Sequence, residues 1–363
     1  MEKEFSVPMS RPEIGQEEIE AVLATLKSGW PSQGKVTVEF ESLLSEYLSS
    51  NVVVVNNGSS ALMCALLADG IKPGDKIIVP SFTFIATSSI PKILGAEIIA
   101  ADIDPITMNI SPDSVEAIVK KTDVKSVIIV GVGGLSVDID RFTELSKRYK
   151  FKLIEDAAES FGSEYKNRRL GSFDHTTIFS FQIAKQLTTI EGGCISTENK
   201  TTLKKLNQIK DYGRNDRERY VHDVIGTNFR ITDIQSAIGI QQLKKIEKSI
   251  RRRNEIASEY KNGIKNIDFQ TIPKYATRHS YMLFFALANN KIQRDKYLKG
   301  LINKGIDARK AWTPIHMQPC NPELINEKCP NAKDVFDRSF TLPIYNSMSK
   351  DETNMVIEAF QSM

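Results

Sequence analysis

Short runs rich in β-branched residues alternate with helix-patterned stretches, and this rhythm decides the fold class. Residues 52–55, 76–81, 97–103, 124–132, 151–154, 176–181 and 193–197 read as strands. Between them, 59–68, 83–94 and 140–149 carry helical patterns, and Ser111-Pro112 supplies an N-cap with proline at the first helical position of a helix reaching about Lys121. Strands separated by helices predict a largely parallel sheet covered on both faces, the α/β class. Ligands of such sheets collect at the carboxyl ends of the strands. From Thr232 to Asn262 the pattern is continuously helical, and Arg251-Arg252-Arg253 within it reads as a solvated face. After Pro273 a strand (281–286), a helix (293–304), a short strand (306–312) and two final helices predict a smaller α+β unit. We expect a large domain over residues 1–250 and a small C-terminal domain over 251–363.

Composition narrows the function classes. The chain has 363 residues, with 48 Lys+Arg against 45 Asp+Glu, and 41% are hydrophobic. That balance excludes a disordered chain and gives no reason to expect nucleic acid or a charged membrane as partner. The most apolar stretches, such as 126–135, fall short of the roughly 18 to 20 residues that a spanning helix needs. Cys64, Cys194, Cys320 and Cys329 form no close pair, which fits a reduced compartment. The opening MEKEFSVPMS has no apolar core of a secretory leader, so a cytoplasmic protein is expected. His175, His222, His279 and His316 are scattered among these cysteines without zinc spacing, and no metal site is expected.

Four features carry chemistry. Lys185 lies just past the strand 176–181, before Thr188-Thr189-Ile190-Glu191-Gly192-Gly193. A lysine in a short loop at the end of a buried strand is a Schiff-base candidate, because desolvation favours its neutral amine; a surface lysine on a turn is the competing reading. Asp156 closes the strand 151–154 and precedes two alanines, so it can approach a flat ligand closely; it could equally cap the next segment. Asn57-Gly58-Ser59-Ser60 opens a helix directly after a strand, offering free N–H groups and hydroxyls to an anion. This segment is neither a Walker A nor a GxGxxG loop, and an ordinary N-cap would look the same. Phe84 follows a strand end and could stack on a ring or pack in the core. Each is weak in isolation. Phosphate cradle, aromatic, carboxylate and lysine at one edge of one sheet together fit a pyridoxal phosphate (PLP) site.

The runs GWPSQGKVTVEFE (29–41), NNGSSAL (56–62), PSFTFIAT (80–87), EDAAESFGSEY (155–165), FSFQIAKQLTTIEGG (179–193), GTNFRITDIQSAIGIQQL (226–243) and CPNA (329–332) span nearly the whole chain. In them the chain resembles the PLP-dependent sugar aminotransferases of the DegT–DnrJ–StrS family. The resemblance implies fold type I of the PLP-dependent transferases, with a mostly parallel seven-stranded sheet, and a homodimer with shared sites. It implies that Lys185 carries the cofactor as a Schiff base and that Asp156 pairs with the pyridine nitrogen. Phe84 would stack on the ring, with Ala158 and Glu159 towards its other side. Ser59, Ser60 and Ser180 would hold the phosphate, and Asn228 would reach the phosphate of the neighbouring subunit. Trp30, Arg230 and His316 would lie on the substrate side.

The implied reaction moves an amino group from L-glutamate to a keto group of a nucleotide-linked sugar, a 4-keto-6-deoxyhexose by analogy. Gly131-Val132-Gly133, Gln182 and Glu159 depart from the residues common in that family and bear on the substrate. A sugar dehydratase on the same scaffold is an alternative, although such relatives carry histidine where Lys185 stands. An aromatic-precursor synthase and a non-catalytic PLP-binding regulator are the others.

Overall fold

The computed structural model describes residues 5–363 apart from 216, 217, 219 and 266. In chain order the elements are α1 (Gln16–Lys27), α2 (Lys35–Leu48), β1 (Asn51–Val55), α3 (Gly58–Ala68), β2 (Lys76–Pro80), α4 (Ala86–Ile93), β3 (Glu97–Ala101), α5 (Pro112–Val119), β4 (Ser126–Val130), α6 (Ile139–Tyr149) and β5 (Lys152–Asp156). A two-stranded ribbon follows, β6 (Glu164–Tyr165) with β7 (Arg168–Arg169), then β8 (Thr176–Ser180), β9 (Gly193–Thr197), α7 (Lys200–Ile209) and α8 (Asp233–Gly263). The C-terminal part holds β10 (Asp268–Phe269), β11 (Phe284–Leu287), α9 (Lys291–Asn303), β12 (Arg309–Lys310), α10 (Pro330–Arg338), β13 (Ser339–Leu342) and α11 (Lys350–Gln361).

Seven strands form one sheet in the order β1-β9-β8-β5-β4-β2-β3. The pairs β2–β3, β2–β4, β4–β5 and β5–β8 are parallel. Strand β9 runs antiparallel to both its neighbours, β1 and β8. Its cause is local: no helix occupies residues 181–192, so the chain turns back beside β8 instead of crossing over the sheet. Every parallel strand, and β1 with them, therefore points its carboxyl end to one edge.

Period-two alternation sorts the strand residues between two cores. Val53, Val55, Ile77, Val79, Ile128, Ile154, Ile178 and Ile195 pack with α3, α4 and α7. Val52, Val54, Ile78, Val127, Ile129, Leu153, Phe179 and Cys194 pack with α2, α6 and the first half of α8. The open edge of β1 is covered by α2, whose Ser45 Oγ and Glu41 Oε1 accept the Val52 and Val54 N–H groups at 3.2 and 2.9 Å. Glu18, buried on α1, accepts from Lys245 and Gln242 of α8 at 2.8 and 2.9 Å and so fastens α1 to it.

Helix α8 passes from one core to another. Ile240, Ile246 and Ile250 belong to the sheet's core, whereas Ile256, Ala257 and Tyr260 join Phe284, Phe340 and Val356 in a third. Val7 joins that third core, bonded to Gly305 and Asp307 at 3.1 and 2.9 Å. Conversely Phe285, Ala311, Ile315 and Val335 pack against the large sheet.

Several expected boundaries shift for identifiable reasons. The strand expected from Tyr281 starts at Phe284, because Tyr281 is left-handed (φ 47°) and its N–H bonds to His279 Nδ1 at 2.9 Å. The run 306–312 is divided: Ile306 bridges Val7, and only Arg309 and Lys310 pair with β13. Helix α4 begins at Ala86, later than expected, which leaves Phe84 in the loop after β2. The sequence pattern did not mark α1, α2 or β13.

Asp233, the first residue of α8, accepts the Gly34, Val36 and Thr37 N–H groups at 2.7, 3.2 and 2.9 Å and the Thr37 hydroxyl at 2.6 Å. One carboxylate thus caps the start of α2 and joins two helices. Asp233→Ala strands those donors and should cost roughly 2–4 kcal/mol, read as a lower midpoint in urea unfolding. Asp233→Asn should recover part of the loss.

Candidate active site

A cavity of about 450 Å³ opens at the carboxyl edge of the sheet. Asn57, Gly58 and Ser59 border it after β1, Thr83 and Phe84 after β2, Asp156, Ala158 and Glu159 at β5, and Ser180, Gln182 and Lys185 after β8. Four separate strand ends thus bring Lys185, Asp156, Phe84 and the Asn57-Gly58-Ser59 turn to one cavity, with Ala158, Glu159 and Ser180, the residues added by the resemblance, beside them. Met282, Leu283 and Trp312 close it from the C-terminal part.

Lys185 rides on the reversal between β8 and β9. Its N–H bonds to the Gln182 carbonyl at 2.9 Å, and the Gln182 side chain accepts from Ala184 N at 2.9 Å, which curls the loop tightly. Thr189 N then returns to the Phe181 carbonyl at 2.9 Å. Gln186, the next residue, is buried and donates to the Glu159 carbonyl at 2.6 Å and to Ser280 Oγ at 2.7 Å. The loop is thereby tied down on both sides of the lysine. Among the described residues no hydrogen bond or ion pair occupies Lys185 Nζ, although its charge acts on both Asp156 and Glu159.

Asp156 ends β5, where Oδ2 accepts from Thr87 Oγ1 at 2.9 Å and Oδ1 from Ala158 N at 3.2 Å. Burial pushes its carboxyl above the ordinary 3.8, against the Thr87 and Ala158 bonds and the Lys185 charge. Glu159 is also raised above its ordinary 4.5 by burial, with Lys185 and the Gly133 N–H (2.8 Å to Oε2) opposing. Two buried acids with neutral hydrogen-bond donors are short of positive charge. A protonated ring nitrogen would supply it.

The anion end is built from backbone. Asn57 caps α3 by accepting the Ser60 N–H at 2.7 Å. A β-carbon on Gly58 would lie 2.8 Å from Ser180 Cβ, and one on Gly193 would lie 2.7 Å from the Phe179 carbonyl. Only hydrogen at these two positions lets the helix start, the end of β8 and the start of β9 close into one cradle. Phe84 stands 56% exposed at the rim, an aromatic face without a core to pack in. A flat, phosphorylated pyridine would fit these groups, with the α3 N-terminus available to its phosphate, Phe84 to its ring and Asp156 to its nitrogen.

Other expected residues lie elsewhere. Ser60 is buried beside the cradle rather than in the cavity wall. Trp30 and Arg230 border a second cavity of about 650 Å³ together with Lys35, Asp211 and Arg214. Asn228 sits next to it, bridging Asp211 and accepting the Arg230 N–H at 3.2 Å. Arg230 itself pairs with Asp211. His316 is buried on the short 3₁₀ turn Ile315–Met317, near Asp102, and its Nδ1 has no partner among the described residues. Trp312 was missed by the sequence reading. It packs against Phe82 and Phe285 at ring distances of 5.8 and 6.0 Å, and no local pattern marks it.

A lysine and a strand-end carboxylate border one cavity beside a helix N-terminus, the set of groups that a Schiff base with an aromatic phosphate would need. The chain belongs to the DegT/DnrJ/EryC1/StrS aminotransferase family, whose model matches residues 12–361. It is 34% identical to a GDP-perosamine synthase of Escherichia coli O157:H7, with 97% of each chain covered. It is 33% identical to the spore coat polysaccharide biosynthesis protein SpsC of Bacillus subtilis strain 168, over 98% of this chain and 97% of that one. It superposes on the PLP form of a putative sugar aminotransferase, Spr1654 from Streptococcus pneumoniae, with a TM-score of 0.91, 27% identity and 98% of each chain covered.

Two outcomes follow from this geometry. Gly58→Ala should force α3 away from Ser180 and weaken PLP binding about tenfold, as overpacking of a tight contact does; titrating apoprotein with PLP measures it. For a raised acid the folded state holds the proton longer, so stability falls as pH rises above the ordinary value. Asp156 lies above 3.8, and apoprotein should therefore lose stability relative to the Asp156→Asn variant as pH climbs from there. Thermal melts of the two apoproteins across pH should diverge in that sense.

Proposed function

We propose that this chain is a PLP-dependent aminotransferase carrying an amino group from L-glutamate to the keto carbon of a nucleotide-linked 4-keto-6-deoxy sugar. The observation that carries this reading is the meeting of Lys185 and Asp156 at one cavity beside the α3 N-terminus. The family membership and the sugar aminotransferases among the relatives support it. Lysine at position 185 also speaks against the dehydratase alternative.

When bound, PLP supplies the electron sink that acidifies the carbon bearing the amino group. Asp156 supplies the negative charge that keeps a proton on the ring nitrogen. Lys185 Nζ is the base: it removes the proton from the donor's α-carbon and later returns one to the sugar carbon that receives nitrogen. Holding this amine beside the substrate replaces a chance encounter, and well-oriented groups reach effective molarities of about 10⁵ M or more. The N–H groups at the start of α3, with Ser59 and Ser180, hold the phosphate. Phe84 and Ala158 confine the ring from two sides, and Trp312, Met282 and Leu283 keep water from it.

We place the substrate's anionic part against the second cavity, where Lys35, Arg214 and Arg230 outnumber Asp211. That cavity completes the catalytic one across a dimer interface in this reading. An apolar stripe on α1, Ile19, Leu23 and Leu26, is about half exposed at helical spacing and suits burial against a second copy.

Lys185→Ala should lower turnover at least about a thousandfold and abolish the visible absorbance of the bound cofactor. Glutamate should bleach the yellow wild type, and the accepting keto-sugar nucleotide should restore its colour; a yellow protein that glutamate leaves unchanged refutes the donor half. Mixing inactive Lys185→Ala and Arg230→Ala chains should regain roughly a quarter of wild-type activity, since half the dimers would carry one intact site. Shared sites are ruled out if the mixture stays dead while subunits exchange.

A further inference from the structure

Strand β5 carries a second acid whose place in the fold needs a reason. Alternation along Glu155-Asp156 turns Asp156 to the cavity and Glu155 to the opposite face of the sheet. That face is the apolar core of Leu153, Phe161 and Phe179. Glu155 is completely buried there. Its register partners are Ile129 on β4 and Thr177 on β8. Its Oε2 meets His175 Nε2 at 3.0 Å and accepts from Thr177 Oγ1 at 3.2 Å. Its Oε1 is buried with no hydrogen-bond partner among the described residues.

An aliphatic residue would fill this position at lower cost, because an isolated buried carboxylate is strongly disfavoured without a compensating cation. Among the described residues no lysine or arginine forms an ion pair with it, and His175 is its one basic partner. His175 is held parallel to the Phe173 ring, with centroids 5.9 Å apart. It also lines a separate cavity of about 580 Å³, together with Asp69, Asp140 and Asp174 and with Lys147, Lys150, Lys152 and Arg168. Protons can therefore reach the imidazole without passing the catalytic cavity. On the cavity face the charges near Asp156 are those of Lys185 and Glu159, and from behind it Glu155 opposes its ionisation.

We propose that Glu155 and His175 are positioning residues: a charge-compensating pair that sets, through the sheet, the electrostatic field behind Asp156 and so the proton held on the cofactor's ring. Glu155 adds negative potential behind that carboxylate, and His175 trims it. Departures from an otherwise consistent core gather at functional sites, and this one lies a single peptide bond from Asp156. The proposal rests on the PLP reading of the site, and its test separates the two.

The test compares PLP-loaded wild type with Glu155→Gln, His175→Gln and the double variant, following the pH midpoint of the bound cofactor's visible absorbance. Removing the negative charge should lower the midpoint by about half a unit or more, and removing its basic partner should raise it by a similar amount. The double variant should fall between them. Midpoints that stay put, or that move the same way in both single variants, overturn the proposal, since a merely structural pair would change stability alone. Should the variants fail to fold, wild type decides: the His175 ring signals, followed by NMR at one fixed pH, should move when PLP binds, because coupling between two sites is reciprocal. Unmoved signals overturn the proposal. A wild type that takes up no PLP removes the reading of the site as well.

Discussion

Asp156 is a carboxylate held out of water at the end of a strand, and the arrangement of the catalytic edge turns on making that position tolerable. Thr87 and the Ala158 N–H give it hydrogen bonds, and Lys185 gives it charge from across the cavity. These contacts come from α4, from the chain just after β5, and from the loop after β8. The remaining deficit of positive charge is one that a protonated pyridine would satisfy.

The reversal of β9 is the second organising feature. Had a helix joined β8 to the next strand, the chain would have left the sheet's edge after Ser180. Instead residues 181–192 loop over the cavity mouth and return beside β8, held by Thr189 and by Gln186. Lys185 is carried on that loop. Gly193 lets the returning strand pass within contact of Asn57, so the same reversal that presents the lysine also packs against the start of α3. Departure from a purely parallel sheet and construction of the site are one event.

Much of this was legible beforehand. Strands 1 to 5, 8 and 9 lie where β-branched runs stand, because buried central strands need apolar side chains on both faces. Ser111 caps α5 through the Ser114 N–H, as the Ser-Pro pair foretold. Lys185, Asp156, Ser59 and Phe84, each marked by its position at a strand end, all border one cavity. What was lost depended on distant partners. Strand β13 lacks a local signature, and Ile306 chooses Val7 over β13. Trp312 reaches the cavity only because its segment folds back over the large sheet.

The order of residues by itself determined the α/β class, the alternation that assigns side chains to two cores, and the chemical types poised at the strand ends, since these follow from local periodicity and from where strands stop. Tertiary structure alone decided which of those ends share a cavity, that Trp30 and Arg230 face a different one, and that His175 is the one basic partner of Glu155 among the described residues. Burial and proximity across the sheet arise from segments far apart in the chain, and local periodicity does not encode which segments those are.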